Sequence, residues 1–78
     1  MQNPNGSAQS SAVTAIRVRL AAMSKSQAWL ADQIGESPWW LSRRMSGQQR
    51  FTTDDLDRIA AVFGTDIFGL LDTAKAVA

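Results

Sequence analysis

The side chains that could do chemistry in this chain are concentrated between residues 26 and 50. The 78 residues include no cysteine and no histidine, which excludes disulfides, zinc fingers, cysteine nucleophiles and histidine acid–base catalysis. Arg43 and Arg44 supply guanidinium groups, which bond to phosphate oxygens or to two acceptors of one guanine base. Trp39 and Ser42 stand beside them at helical spacing. This combination is typical of a surface that binds nucleic acid.

The acidic residues do not suggest an active site. Asp54, Asp55 and Asp57 are the closest group of carboxylates, and they stand at the predicted start of a helix. Carboxylates at that end are favoured by the helix dipole, which explains them without catalysis. We therefore expect no enzyme activity, no cofactor and no metal.

Two short amphipathic helices must position the basic and aromatic residues. The first is predicted at 27–34, with Ser26 as its N-cap, and Gly35 suits the left-handed position that ends a helix. Ser37, followed by proline, then reads as the N-cap of a second helix at 38–45. One helix that braces and a second that presents polar groups after a tight turn are typical of a helix-turn-helix. Double-stranded DNA is therefore the leading candidate partner.

Three further helices complete the predicted domain. Apolar residues at helical spacing, with Thr52 as a cap and Gly64 as a stop, place them at 12–22, 53–63 and 67–72. No segment shows sustained two-residue alternation, so the fold class is all-α with five helices. We expect residues 1–10 to be a polar tail, 11–72 the folded domain and 73–78 a second tail.

Composition and charge agree with a small globular binding domain. Residues 1–53 hold six Lys or Arg and two acidic residues, whereas residues 54–78 hold two Lys or Arg and five acidic residues. Such a dipolar chain can turn its basic end toward phosphates, although a scatter of solvated surface charges gives the same count. No apolar run approaches the about 20 residues that cross a bilayer, and residues 1–10 lack the basic start and apolar stretch that are typical of a secretion signal. We expect a cytoplasmic protein.

An ordered set of motifs resembles the Cro/repressor (XRE-type, lambda repressor-like) helix-turn-helix family. The residues that carry the resemblance are Ser26-Gln27-Ala28-x-Leu30-Ala31, Ile34-Gly35, Ser37 with Leu41-Ser42-Arg43, Gly47, and Phe51-Thr52-x-x-Asp55-Leu56-x-x-Ile59-Ala60-x-x-Phe63-Gly64-Thr65. The resemblance covers residues 13–72. It implies a five-helix bundle whose third helix enters the major groove, commonly as a dimer on a two-fold symmetric operator.

The resemblance also implies which side chains meet DNA. The positions that would read bases are Pro38, Trp39, Ser42 and Arg43. The positions that would contact the DNA backbone are Ser26, Gln27, Ser37, Arg44, Ser46, Gln48, Gln49 and Arg50. Arg43 is the leading base-reading residue, and a solvated charge or a phosphate contact is its alternative role.

One departure from the family pattern gives a packing prediction. The family often has an arginine at the position of Leu20 and a glutamate at that of Met45, and both are apolar here. Replacing a buried ion pair by packed apolar residues is often neutral or stabilising. We expect Leu20 and Met45 to touch.

The three tryptophans have different predicted roles. Adjacent helical residues point about 100° apart, so Trp39 and Trp40 cannot share one environment. We expect Trp39 to face the groove, and its alternative role is a partly exposed brace against Trp29. We expect Trp40 to be structural and stacked on Arg44. Trp29 is expected to have a packing role.

The resulting functional expectation is a transcriptional regulator, most simply a phage immunity repressor or Cro-like protein that occupies an operator. A weak homodimer is expected to form through the last helix, where Phe68 and Leu71 could leave apolar surface. The alternative is a protein-interaction module of the same fold, such as an antitoxin or adaptor, with the tryptophans as contact residues. The role of Glu36 in the turn is left open.

Overall fold

The computed structural model describes residues 8–76, and these residues form five α-helices. The helices are α1 (Ala8–Met23), α2 (Gln27–Gln33), α3 (Pro38–Met45), α4 (Thr53–Val62) and α5 (Ile67–Ala76). The predicted all-α class with five helices is confirmed. Within the described range none of the helices combines the length and the apolar character needed to cross a membrane.

Three predicted N-caps begin three of the helices. The hydroxyl of Ser26 accepts the N–H of Trp29 at 3.1 Å, and that of Ser37 accepts the N–H of Trp40 at 3.1 Å. Thr52 and Asp55 form a reciprocal capping box, with the Thr52 N–H donating to the Asp55 carboxylate at 2.9 Å. These bonds satisfy backbone N–H groups that have no partner inside their own helix.

A tight connection joins α2 to α3. Gly35 has a φ of 76°, a left-handed conformation that glycine adopts without steric cost. The N–H of the next residue, Glu36, donates back to the Ala31 carbonyl at 2.9 Å, which closes the end of α2. Residues 34–37 therefore turn the chain directly from one helix into the next.

The first helix is longer than predicted. It begins at Ala8 rather than at residue 12, so residues 8–10 of the predicted tail are helical. The reason is a tertiary contact, because the Gln9 side-chain amide donates to the Phe51 carbonyl at 3.0 Å and accepts the Phe51 N–H at 2.8 Å. Residues 1–7 of the predicted tail lie outside the described residues.

The last helix is also longer than predicted, since it extends to Ala76 rather than to residue 72. Arg19 of α1 donates to the Thr73 hydroxyl at 2.9 Å and to the Gly69 carbonyl at 3.3 Å. These bonds lie within the most extensive helix pairing of the fold, that of α1 with α5. Residues 77–78 of the predicted C-terminal tail are outside the described range.

One hydrophobic core holds all five helices together. Each helix contributes one large side chain with less than 2% exposure, and these are Ile16, Leu30, Leu41, Ile59 and Leu70. Leu20 and Met45, each 5% exposed, belong to the same core cluster. Both are therefore buried, and their contact with each other stays a prediction.

Candidate functional site

The outer face of α3 presents an aromatic ring and a guanidinium as one unit. Trp39 is 68% exposed, and the guanidinium carbon of Arg43 lies 4.7 Å from the centre of its ring. Arg43 also donates to the side-chain oxygen of Gln49 at 3.4 Å. The stack and the hydrogen bond restrict the guanidinium while leaving other N–H groups for a ligand.

The remaining predicted base-reading positions lie beside this pair. Pro38 and Ser42 are both exposed, and both belong to α3 together with Trp39 and Arg43. The inner face of the same helix buries Leu41 and Met45. Because α3 is anchored from within, its outward side chains project from a fixed backbone.

The segment after α3 folds back onto the end of that helix. Gly47 has a φ of 87°, and the backbone N–H groups of Gln48 and Gln49 donate to the Arg43 carbonyl at 2.9 and 3.1 Å. Ser46, Gln48, Gln49 and Arg50 are all exposed. These four residues, predicted to contact the DNA backbone, are therefore open to solvent, and the bonds to the Arg43 carbonyl hold Gln48 and Gln49 close to that arginine.

The predicted residues at the helix starts are also available. Ser26 and Ser37 are exposed, and each hydroxyl accepts a backbone N–H while keeping its own proton to donate. Gln27, the first residue of α2, is half-buried. These groups offer hydrogen-bond donors to an oxyanion beside the α2 and α3 starts.

Arg44 differs from the other predicted contact residues. Its side chain is only 14% exposed, its Nε lies 3.4 Å from the Asp55 carboxylate, and it donates to the Trp40 carbonyl at 3.2 Å. Its guanidinium carbon lies 3.8 Å from the centre of the Trp40 ring, which confirms the predicted stack. Because a largely buried carboxylate already compensates its charge, this placement argues against the predicted backbone-contacting role of Arg44.

A second arginine, Arg58, pairs with the same carboxylate as Arg44 and accounts for the acidic residue in the turn, Glu36. Arg58 of α4 donates to Glu36 at 3.2 Å, to Asp55 at 3.2 Å and to the Ile34 carbonyl at 3.1 Å. The carboxylate in the turn is thereby neutralised from α4, which removes a charge that would repel an anionic partner. Arg58 received no role in the sequence analysis, and its spacing of three residues from Asp55 was the available signal.

The carboxylate at the centre of this cluster is 7% exposed overall. Burial on its own raises the pKa of Asp55, but hydrogen bonds from Thr52 and Arg58 and the charge of Arg44 outweigh it. The pKa of Asp55 is therefore lower than that of an ordinary aspartate, and the ionised form stabilises the fold. We name Asp55, Arg44, Arg58, Glu36 and Trp40 the buried ion cluster after the buried carboxylate at its centre, although Arg58 and Glu36 lie at its solvent-exposed edge.

The other aromatic residues fall into two groups. Trp29 is half-buried against the core, as predicted, with the Lys25 ammonium 5.3 Å from its ring centre. Phe68 on α5 is 79% exposed, whereas Leu71 packs against the core. Of the two residues predicted at a dimer surface, Phe68 alone is exposed.

The predicted base-reading residues and residues 46–50 are thus exposed together at α3 and the segment after it. Arg44 is largely buried and paired with Asp55. Comparison with known proteins found no match to this chain among family models, curated proteins or solved structures.

Proposed function

We propose that the chain is a sequence-specific regulator that binds double-stranded DNA, most simply a repressor of the Cro/repressor type. In this proposal α2 and α3 are the helix-turn-helix, and α3 enters the major groove. The observation that carries the proposal is the Trp39–Arg43 pair on the outer face of α3. A large exposed indole beside a guanidinium, on a helix whose inner face is buried, suits a groove lined by acceptors and methyl groups.

Base reading is assigned to Pro38, Trp39, Ser42 and Arg43 because they share the outer part of α3. Arg43 would bond to O6 and N7 of one guanine, a pairing that its planar fork matches. Its stack on Trp39 and its bond to Gln49 support this assignment, because a side chain that is ordered in advance loses less entropy on binding. Trp39 would pack against a thymine methyl or a sugar.

Backbone contacts are assigned to the polar residues around α3. These are Ser26, Gln27, Ser37, Ser46, Gln48, Gln49 and Arg50. Helix starts and loop amides fix the register of a protein on the duplex without reading sequence. Arg44 is omitted because its charge belongs to the buried ion cluster.

The proposed mode of action is occupation of an operator. A dimer would place two copies of α3 about 34–36 Å apart on a two-fold symmetric site. Phe68 supports a contact through α5, since a 79% exposed phenyl ring loses unfavourable hydration when a second copy covers it.

The test is duplex binding as a function of salt, followed by selection of bound sites from a random duplex pool. We expect affinity for random duplex to fall steeply between about 50 and 200 mM salt, because phosphate contacts release counterions. On the selected site, Arg43→Ala should cost about 1–3 kcal/mol and relax the preference at one base pair.

The matched control is Lys75→Ala, which removes the same charge from an exposed position on α5. Equal operator affinity of the Arg43 and Lys75 variants would contradict the assignment of Arg43. A wild-type protein that ignores duplex DNA at low salt would contradict the proposed function.

A protein partner is the second candidate, and the exposure of Trp39 favours it. Tryptophan is enriched among residues that dominate binding energy at protein interfaces. Binding through such a surface would depend weakly on salt, and Trp39→Ala would then abolish it while Arg50→Ala would leave it unchanged.

A further inference from the structure

A cleft of about 430 Å³ is lined by residues 9–17 of α1, by the end of α3 and by the segment that links α3 to α4. Its ten lining residues include Arg17, Arg44 and Arg50 and no aspartate or glutamate. Such a lining attracts anions, because its charged side chains are all positive.

Two of the three arginines have no carboxylate partner. Arg44 is paired with Asp55, but Arg17 and Arg50 form no ion pair with any residue from 8 to 76. Both are exposed, and both line the cleft. They therefore bring two uncompensated charges, one from α1 and one from the α3–α4 segment, to a single concave site.

The walls of the cleft are held in place by a specific bond pair. Gln9, which lines the cleft, exchanges two hydrogen bonds with the backbone of Phe51 at 2.8 and 3.0 Å. Met45, on the opposite wall, is buried in the core. These contacts hold the walls in place without engaging the guanidinium groups of Arg17 and Arg50.

The cleft adjoins the surface proposed to read bases. Gln49 lines the cleft and also accepts the hydrogen bond from Arg43. A DNA strand whose bases meet Arg43 would therefore carry its backbone past the cleft mouth.

We propose that this cleft binds a phosphate group of the duplex backbone, with Arg17 and Arg50 as its ligands. The inference rests on the proposed function and adds α1 to the contact surface. Arg17 is the decisive residue, because neither its helix nor its position was assigned to DNA contact. A phosphate of the duplex backbone and free inorganic phosphate would offer the cleft the same oxyanion, and the second experiment below distinguishes these two ligands.

The first experiment compares Arg17→Gln with Lys75→Gln, which makes the same charge change on α5. The slope of log affinity against log salt should fall by about 0.9 for Arg17→Gln, the value of one phosphate contact, and stay unchanged for Lys75→Gln. Taken from 1 M salt, where the counterion contribution is zero, down to 0.1 M, this slope corresponds to about an eightfold loss of affinity, equal for selected and random duplex. Equal slopes for the two variants, with wild-type binding intact, would overturn the inference and leave the proposed function standing.

The second experiment titrates inorganic phosphate into the wild-type protein at constant ionic strength and follows the Nε–H signals of the arginines by NMR. Selective shifts of Arg17 and Arg50 that duplex DNA reproduces would support the inference. Shifts with phosphate that duplex does not reproduce would overturn it in favour of a free anion as the ligand. Absence of shifts with both would overturn it altogether, and absence of duplex binding by the wild type would instead count against the proposed function.

Discussion

Replacement of Asp55 by asparagine tests how much the buried ion cluster stabilises this domain. Asp55 accepts hydrogen bonds from the Thr52 N–H at 2.9 Å, from Arg58 at 3.2 Å and from Arg44 at 3.4 Å. The asparagine side chain would keep the shape and one acceptor oxygen but would remove the negative charge. Because both carboxylate oxygens of Asp55 accept hydrogen bonds, the substitution removes the charge and one of the two acceptor atoms together.

The expected cost follows from the exposure of the two arginines. Arg44 is 14% exposed and loses its counter-charge, a change that costs about 3–5 kcal/mol when burial is complete. Its bond to the Trp40 carbonyl remains, so we expect about 2 kcal/mol. Arg58 is 41% exposed and keeps Glu36, so its share is under about 1 kcal/mol.

The sum is about 2–3 kcal/mol, equivalent to a fall in Tm of roughly 10–20 °C for a domain of this size. Urea denaturation at neutral pH, followed by circular dichroism, measures this difference. The control is Asp57→Asn, which makes the same chemical change at an exposed position two residues along α4. We expect the control to change stability by less than about 0.5 kcal/mol.

The pH dependence gives a second, independent check. The pKa of Asp55 in the fold lies below the ordinary value of about 3.9 that the unfolded chain shows. Its ionised form therefore stabilises the fold fully above that value, and the stabilisation is lost as the pH falls through the lower, folded-state pKa. The difference in stability between the wild type and Asp55→Asn should therefore begin to shrink as the pH falls below about 4, and it should vanish below the folded-state pKa of Asp55. A difference that stays constant from about pH 7 to about pH 3, or one below about 0.5 kcal/mol at neutral pH, would refute the reasoning.

Two further substitutions test the turn after α1 and the anchor of its first residues. Ser24 has a φ of 56°, which costs a residue with a Cβ atom about 1–2 kcal/mol. Ser24→Gly should therefore raise the free energy of unfolding, measured in urea, by roughly 0.5–1 kcal/mol, because the unfolded glycine chain gains entropy that offsets part of the relief. An unchanged free energy would argue that the turn is not strained. Gln9→Ala should lower the free energy of unfolding by about 1–3 kcal/mol, because the N–H and the carbonyl of Phe51 both lose their hydrogen bonds. The control is Thr14→Ala on the same helix, which should have little effect. Equal effects of the two substitutions would contradict the anchoring role of Gln9.

The helices that the sequence predicted most closely are those with local start and stop signals. Ser26, Ser37 and Thr52 each cap a helix at the expected residue, because a cap acts on an N–H only three residues away. Gly35 is equally local, since its left-handed conformation depends on its own backbone. Such signals are complete within a few residues of sequence.

The features that the sequence did not predict depend on distant partners. The start of α1 is held by a bond pair between residues 42 apart, Gln9 and Phe51. The extension of α5 accompanies bonds from Arg19 to Thr73, 54 residues away. These hydrogen bonds join polar side chains to distant groups, so no periodic apolar pattern in the sequence predicts either helix end.

The candidate site shows the same division. Helical spacing was enough to separate Trp39, which is exposed, from Trp40, which packs against the core. It could not show that Arg44 and Arg43 differ, because that difference depends on Asp55, which reaches Arg44 from another helix. Knowledge of the tertiary fold was needed to locate an opposing charge 11 residues away.

The single core, to which every helix gives one large side chain with under 2% exposure, has a consequence for motion. Leu41 is one of these five residues, so it cannot leave its place without opening a void in the core. Amide exchange in α3 should therefore be slow, and local fraying of this helix should be rare. A partner that binds the outer face of α3 will therefore contact a rigid backbone. Any conformational change on binding must occur in the side-chain rotamers of α3 and in the partner.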